Sequence, residues 1–478
     1  MKKIIFLSLI FISTIGFSQQ YNSLYFTPNL PQANQLNPAI QNTCKIEFNG
    51  LLIPITGQLF APIDFTINNN NLSYKDVIHH GTGAQADSLV FDIPNVLKKI
   101  KKLNYTTINL DVEYLNIGYK WEKWFFTFNL SDRFESKLRI PHDLIQFFYE
   151  GNGKSFMEKP ADFSGISLLP DMTYYRDYSI GASKVINSQW TVGGRLHMLF
   201  GKFNTELAKS NITFKTDSED YAYTFTTDIE YNVSQPYFTI DTLDYNYDAD
   251  SLIFSSSTND SLDPKEIIMN RHNMGMGIDL GGIYTINDKI KVYASLLDFG
   301  FIRWKTNPQQ LKVIGTYTYD GVDAVPFLKG DSAVFVYQDE TLDSVVHAYQ
   351  PQLEKEAYTT YLTAKVYIGG TYKYNDKVTF GALGRVAMYR YLMHPSLTLS
   401  ANSQLLKWLG GTASVTVMNN QFTNVGLGLV IKGGPVQLFL ASDNIWGFVW
   451  PQSARNFNFR WGMNWRFGCS PQEDNSKL

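Results

Sequence analysis

Asn456-Phe457-Asn458-Phe459-Arg460-Trp461-Gly462-Met463-Asn464-Trp465-Arg466-Phe467 is the stretch whose reading decides the fold. Phe457, Phe459, Trp461, Met463, Trp465 and Phe467 occupy every second position, and Asn456, Asn458, Arg460, Gly462, Asn464 and Arg466 fill the places between. Successive side chains of a strand point to opposite faces, so this segment is a strand with one greasy and one wet side. It is longer than the usual soluble strand and long enough to cross a bilayer at a tilt. Its aromatic face suits lipid, and Arg460 and Arg466 would then point into a polar lumen.

The same alternation recurs upstream. Met274, Met276, Ile278, Leu280, Tyr284 and Ile286 alternate with Gly275, Gly277, Asp279, Gly281 and Thr285. Trp124, Phe126, Phe128 and Leu130 alternate with Thr127, Asn129 and Ser131. Ile108, Leu110, Val112 and Tyr114 alternate with Thr107, Asn109, Asp111 and Glu113, and the phase then flips at Leu115, Ile117 and Tyr119. A flip of this kind predicts a β-bulge. Thr173 to Val185 is mixed.

Turn chemistry gives an independent check. Short turns rich in Asn, Asp, Gly and Lys fall near 120–123, 186–189, 287–288, 375–376, 406–408 and 432–434. Between the hairpins lie longer connections, chiefly Phe134 to Met172, Leu207 to His272 and Lys305 to Thr360. Short turns alternating with long loops is the plan of outer-membrane barrels, with turns in the periplasm and loops outside. A first strand near Lys45 to Pro54, six hairpins and the final strand predict an all-β transmembrane antiparallel barrel of about 14 strands, within a range of roughly 12 to 16. Two short amphipathic helices, Pro94 to Leu103 and Pro141 to Glu150, are expected in the extracellular loops.

Composition agrees. Of 478 residues, 18% are charged, while 29 Tyr, 33 Phe and 9 Trp bring aromatics to 15%. That is less charge and more aromatic surface than soluble proteins carry. A net charge of −3 is too small to argue for nucleic acid or an anionic membrane surface as a partner, and no nucleic acid is expected. Lys2 and Lys3, the apolar run Ile4 to Ile12 and the small residues Gly16 and Ser18 read as a signal peptide over 1–18. A segment 19–44, polar and carrying Pro28, Pro31 and Pro38, then leads into a barrel over 45–467 and a periplasmic tail over 468–478. No later run is apolar enough for a membrane helix. The cell outer membrane is the expected location, with outer-membrane lipid, lipopolysaccharide and the barrel assembly machinery as partners.

Candidate chemistry is sparse. Cys44 precedes the first strand and Cys469 follows the last, so barrel closure would bring both thiols to one periplasmic rim. In that oxidising compartment they form a candidate disulfide; the alternative is two unrelated thiols. None of the seven histidines, His79, His80, His142, His197, His272, His347 and His394, has metal-ligand spacing. Asp241, Asp244, Asp248 and Asp250 crowd one loop without the spacing of a calcium loop. Gly275 through Gly282 lacks the third glycine and the strand-to-helix turn of a dinucleotide site. No nucleophile elbow or phosphate loop is present. The reading is of a non-enzyme without a cofactor.

Gln35-Leu36-Asn37-Pro38-Ala39 resembles the N-terminal element of exported barrels associated with type IX secretion and gliding. Leu296 through Trp304, Ala441 to Asn444 and Arg460 to Asn464 resemble an uncharacterised family of Gram-negative outer-membrane proteins, similar in fold to the long-chain fatty-acid transporter barrels. That resemblance implies 14 strands and an N-terminal plug, here Gln19 to Thr43. It also implies passive transport of a small or hydrophobic solute. The other function to weigh is a non-transporting platform for secretion, gliding or adhesion, because loops this long are usually functional.

Overall fold

The computed structural model describes residues 22–469 apart from 28, 55–57, 59, 82, 84–85, 152–153, 168, 220, 237, 247–250, 259–269, 320–347, 350, 390–391 and 419–420. The signal-peptide reading and the tail beyond Cys469 lie outside these residues, as do Asp248 and Asp250. Among the described residues no helix is long and apolar enough to cross a membrane.

The chain closes a 14-strand antiparallel barrel. Its first stave is built from two pieces, β1 (Cys44–Asn49) and β2 (Ile63–Asn69), which share the same two neighbours. The remaining staves follow in chain order. They are β3 (Leu103–Trp121), β4 (Trp124–Pro141), β5 (Asp171–Val185) and β6 (Trp190–Thr216). The strand β7 (Tyr223–Ser234) stands outside the ring, and β8 (Met274–Thr285) and β9 (Ile290–Trp304) continue it. β10 (Pro308–Tyr319) again stands outside; β11 (Ala364–Lys373), β12 (Val378–Tyr389), β13 (Leu392–Leu406) and β14 (Leu409–Met418) follow. β15 (Gln421–Gly433), β16 (Val436–Ser442) and β17 (Asn456–Cys469) complete it. β17 pairs with β1 and β2, so the sheet has no open edge at the seam, where an unpaired row of backbone groups would meet lipid.

The alternation that identified the strands sorts their side chains in space. Along β17 every Asn and Arg from Asn456 to Arg466 is buried inside, while Phe467 is exposed. On β6, Leu196 and Met198 face outward at 58% and 51% exposure, whereas Arg195 and His197 between them are buried. The expected bulge exists: the β3–β4 register slips between Glu113 and Leu115. Gly50, where the first stave leaves the wall, lies against that bulge, and a Cβ at its φ of 126° would stand 2.6 Å from the Tyr114 carbonyl carbon. β5 itself keeps its parity, with Tyr175, Asp177, Ser179 and Ser183 buried on one face, and the slip at Tyr174/Tyr175 leaves the extra residue, Lys202, on β6.

Three expectations need correction. The first strand does not run unbroken from Lys45 to Pro54; it stops at Asn49 and resumes at Ile63. The long connections are not all loop. β6 runs for 27 residues, and its upper half pairs with β7, which pairs with β10, making a sheet that stands clear of the barrel at the loop end. There, Phe214, Ile229, Tyr231, Leu207 and Phe163 form a separate hydrophobic core. One face of β7 packs into that core through Ile229 and Tyr231, while Thr226 on the other face is exposed. The helices are shorter than expected. The first spans Ile93–Lys99, capped by the Asp92 carboxylate. The second spans His142–Glu150 with Pro141 at its N-cap rather than inside it.

Candidate functional site: the plugged lumen

Parity aims one side chain in two into the barrel, and the sequence places charges there on neighbouring staves. Arg195 on β6 bridges to Asp279 on β8 at 3.1 Å, and His197 lies 3.0 Å from the same Asp279 and 2.9 Å from Asp177 on β5. Arg133 on β4 reaches both Asp177 (3.1 Å) and Asp298 (2.7 Å). Lys365 on β11 completes the chain to Asp298 at 2.8 Å. Asp298 occupies the left-handed region (φ 56°), which short polar residues tolerate, and its own N–H donates to Asp279 (2.8 Å). On the far side of the seam, Arg460 donates to Glu113 at 2.8 Å. These bases and acids are nearly all buried, and pairing is what makes such burial tolerable.

Residues 22–43 run inside the half of this lumen nearer the short turns. Leu24, Tyr25, Leu30 and Leu36 pack with Leu297, Tyr367, Leu383, Val430 and Phe439 of the surrounding staves. Polar contacts tie the segment to opposite walls. The Asp443 carboxylate accepts the backbone N–H groups of Asn22 (3.3 Å) and Ser23 (2.8 Å), capping a short 3-10 turn. Gln32 and Asn464 exchange amide hydrogen bonds at 2.9 and 3.1 Å. Arg195 donates to the Asn34 carbonyl (3.0 Å) and side-chain oxygen (2.6 Å). Gln35 donates to Glu113 at 2.9 Å and accepts from Arg460 at 2.7 Å.

Asn37-Pro38-Ala39 seats against the wall through backbone. The Asn37 amide donates to the carbonyls of Gly282 (3.4 Å) and Ala294 (3.2 Å) and to the Tyr25 hydroxyl (3.0 Å), while its oxygen accepts the Ala39 N–H at 2.9 Å. The slot exists because Gly193 and Gly281 carry no side chain. A Cβ on Gly281 would collide with the Asn37 side-chain oxygen and stand 2.9 Å from the Ala39 nitrogen; one on Gly193 would collide with the Pro38 carbonyl. Phe26 likewise lies over Gly381, 2.5 Å from where its Cβ would be.

Between this segment and the charged wall remains a cavity of ≈ 60 Å³, bordered by Gln35, Leu36, Asp64, Asp111, Glu113 and the ion pairs above. It has room for a few waters, far less than the roughly 300 Å³ of a typical ligand pocket.

The cysteines are brought together: Cys44 and Cys469 are register partners across the seam, and their sulfurs are bonded. The described histidines are scattered, and His347 lies outside the described residues. His79 lies in a loop hairpin 3.2 Å from Asp92, His142 beside Asp143, and His394 is buried on β13. Among the described residues no group of His, Cys, Asp and Glu is arranged to hold a metal ion. Asp241 and Asp244 lie on a strand, Phe238–Asn246, paired with Ser251–Thr258. The lumen charges were missed as a site in the sequence, although their inward parity beside outward Leu, Met and Phe was the available signal.

Comparisons with known proteins are distant. No curated protein matches the chain. Among solved structures, the toluene transporter TbuX of Ralstonia pickettii is 9% identical with a TM-score of 0.43, over 95% of this chain and 98% of that one. A FadL homologue of Pseudomonas aeruginosa is 10% identical at a TM-score of 0.38, over 95% and 100%. The translocator domain of the autotransporter NalP from Neisseria meningitidis is 7% identical at 0.31, over 90% and 91%. At the level of sequence, residues 46–443 match the model of DUF5723, so this closed, plugged barrel belongs to a family of unknown function.

Proposed function

We propose that the protein sits in the outer membrane and passes a small solute through its lumen by passive diffusion when residues 22–43 shift. The observation that carries this reading is the construction of the lumen. A separate, non-strand segment fills the half nearer the turns, and a cavity lies between it and a charged wall. A barrel needing only to be a solid post could fill that space from its own staves, as smaller barrels do. The wall favours a polar solute over a hydrocarbon, since paired charges bind water and polar groups more readily than apolar ones. No covalent chemistry enters the reading. The test is solute flux into proteoliposomes. Removal of residues 19–43 should raise it severalfold over the full-length protein, and no flux from either protein would refute the reading.

A second reading rests on a separate observation, the sheet of upper β6, β7 and β10 that projects from the loop end with its own core. A lobe of that kind suits a docking platform for a secretion or gliding component. Recovery of a stoichiometric partner from native membranes, lost when the lobe is replaced by a short turn, would favour it.

A further inference from the structure

Toward the loop end, the ion pairs of the lumen wall give way to a strip of amides and hydroxyls. Two inward rows cross the first stave there, each running over β17, β2 and β3. One is Asn458, Thr66 and Asn109, and the next is Asn456, Asn68 and Thr107. On β4 the rows end at Glu135 and Lys137, one charge of each sign, so they add no net charge. Asp443, at the other border, is held by three N–H donors, from Asn22, Ser23 and Asn458. Asn456 is used by its neighbours: it accepts from the Asn444 amide (2.6 Å) and donates to Asn424 (2.8 Å). Asn68 takes no part. It is 1% exposed, and among the described residues neither its Nδ2 nor its Oδ1 has a hydrogen-bond partner. The Thr107 hydroxyl across from it, 4% exposed, has none either, and the Oδ1 of Asn444 accepts nothing. A buried polar group without a bond carries its full desolvation cost, which an apolar residue of the same shape would avoid.

We infer that this strip binds an uncharged, polyhydroxylated solute with the chemistry of a free sugar, its hydroxyls bonding the Asn68 amide, the Thr107 hydroxyl and the Asn444 side-chain oxygen. A hydroxyl both donates and accepts, so adjacent hydroxyls of one molecule satisfy the Nδ2 and Oδ1 of one amide together. The groups without partners mix donors and acceptors and include no full charge. A carboxylate brings acceptors only and an ammonium donors only, and either would shed its water with no counter-charge to receive it. Neighbouring staves lie about 4.8 Å apart, so Asn68 and Thr107 reach one small molecule at once. β2 and β17 meet the loop end at Asn69 and Asn456, so a solute arriving from that side meets the strip before residues 22–43. This inference names the solute class for the transport reading and rests on that reading for the meaning of the site.

The experiment is equilibrium dialysis of the full-length protein, in a sugar-free detergent, against radiolabelled glucose, glucuronate and glucosamine. At about pH 6 the amine keeps its proton and the carboxyl has lost its own, so the three share a ring and differ in charge. Glucose should bind severalfold more tightly than either charged analogue. Asn68→Leu/Thr107→Val should abolish that preference. Neither side chain holds a hydrogen bond in the closed barrel, so the apolar replacements should fold, which heat-dependent electrophoretic mobility reports. Thr107→Val alone is the variant to use should the pair fail. Binding of none of the three, equal binding of all, tighter binding of a charged one, or glucose binding unchanged by the substitutions would overturn the inference and leave water as the partner of Asn68. Entry of the same solutes into proteoliposomes is read separately. Glucose bound without entry of any would remove the transport reading alone, and entry without preferential glucose binding would remove only the sugar.

Discussion

At the scale of single residues, the lumen is governed by the cost of an unpaired buried charge and by the absence of side chains where the plug lies closest. Arg195 serves both ends: it neutralises Asp279 and holds the Asn34 carbonyl and amide oxygens of the plug. Arg195→Met should therefore cost about 3–5 kcal/mol, the scale for breaking a buried pair from one side. Denaturant unfolding in detergent measures it, and a loss within error of zero would contradict the network. Gly281→Val tests the slot. Its side chain must displace Asn37 and Ala39, so overpacking should cost about 1–3 kcal/mol and expose the plug to protease while the barrel resists. The Asn-Pro-Ala element was legible as a short string. Its role was not, because its partners Gly193, Gly281 and Ala294 lie more than 150 residues away in the chain.

At the scale of elements, two couplings matter. The first is the seam, where the β1–β17 pairing juxtaposes Cys44 and Cys469. The protein should run with different mobility on reducing and non-reducing gels, and Cys44→Ser should abolish the difference and cost about 2–4 kcal/mol. Identical mobility shifts in mutant and wild type would exclude the bridge. The second is the loop-end turn of helix Tyr74–Val77. Burial pushes the Asp76 carboxyl up, but hydrogen bonds from Lys99 (2.5 Å) and from the N–H and hydroxyl of Ser73 (2.8 and 2.7 Å) outweigh this and hold it at about 2. Because the folded value lies below the ordinary carboxylate value of 3.8, the contribution is complete above that value and is lost as pH falls through about 2. Asp76→Asn should loosen residues 73–99 to limited proteolysis at neutral pH, and its difference from wild type should disappear towards pH 2. A difference that stays constant with pH would assign the effect to packing instead.

At the scale of the whole molecule, a closed barrel with an apolar exterior makes simple demands. The protein should partition with outer-membrane fractions, need detergent for extraction, and give a circular-dichroism spectrum dominated by β-structure. Dissolution in buffer would contradict the architecture. The plug sets a further demand: its anchors reach β6, β8, β9, β16 and β17, so it cannot shift without giving up contacts on opposite walls. Opening must replace those hydrogen bonds with water or solute, and the polar solute proposed above can supply them.

The class of fold, the number of staves, the bulge after Glu113 and the six short turns were all determined by the sequence itself. Each depends on local chemistry: parity along a strand, Asn, Asp and Gly in turns, and a slip that flips every later side chain. The break in the first stave, the projecting sheet at the loop end, the seating of residues 22–43 and the ion-pair network were decided only by tertiary structure. These features join residues as far apart as Asn22 and Asp443, and which inward acid meets which inward base depends on the stagger of fourteen strands around a closed ring. Local pattern can say that a side chain faces inward, but only closure of the ring chooses its partner.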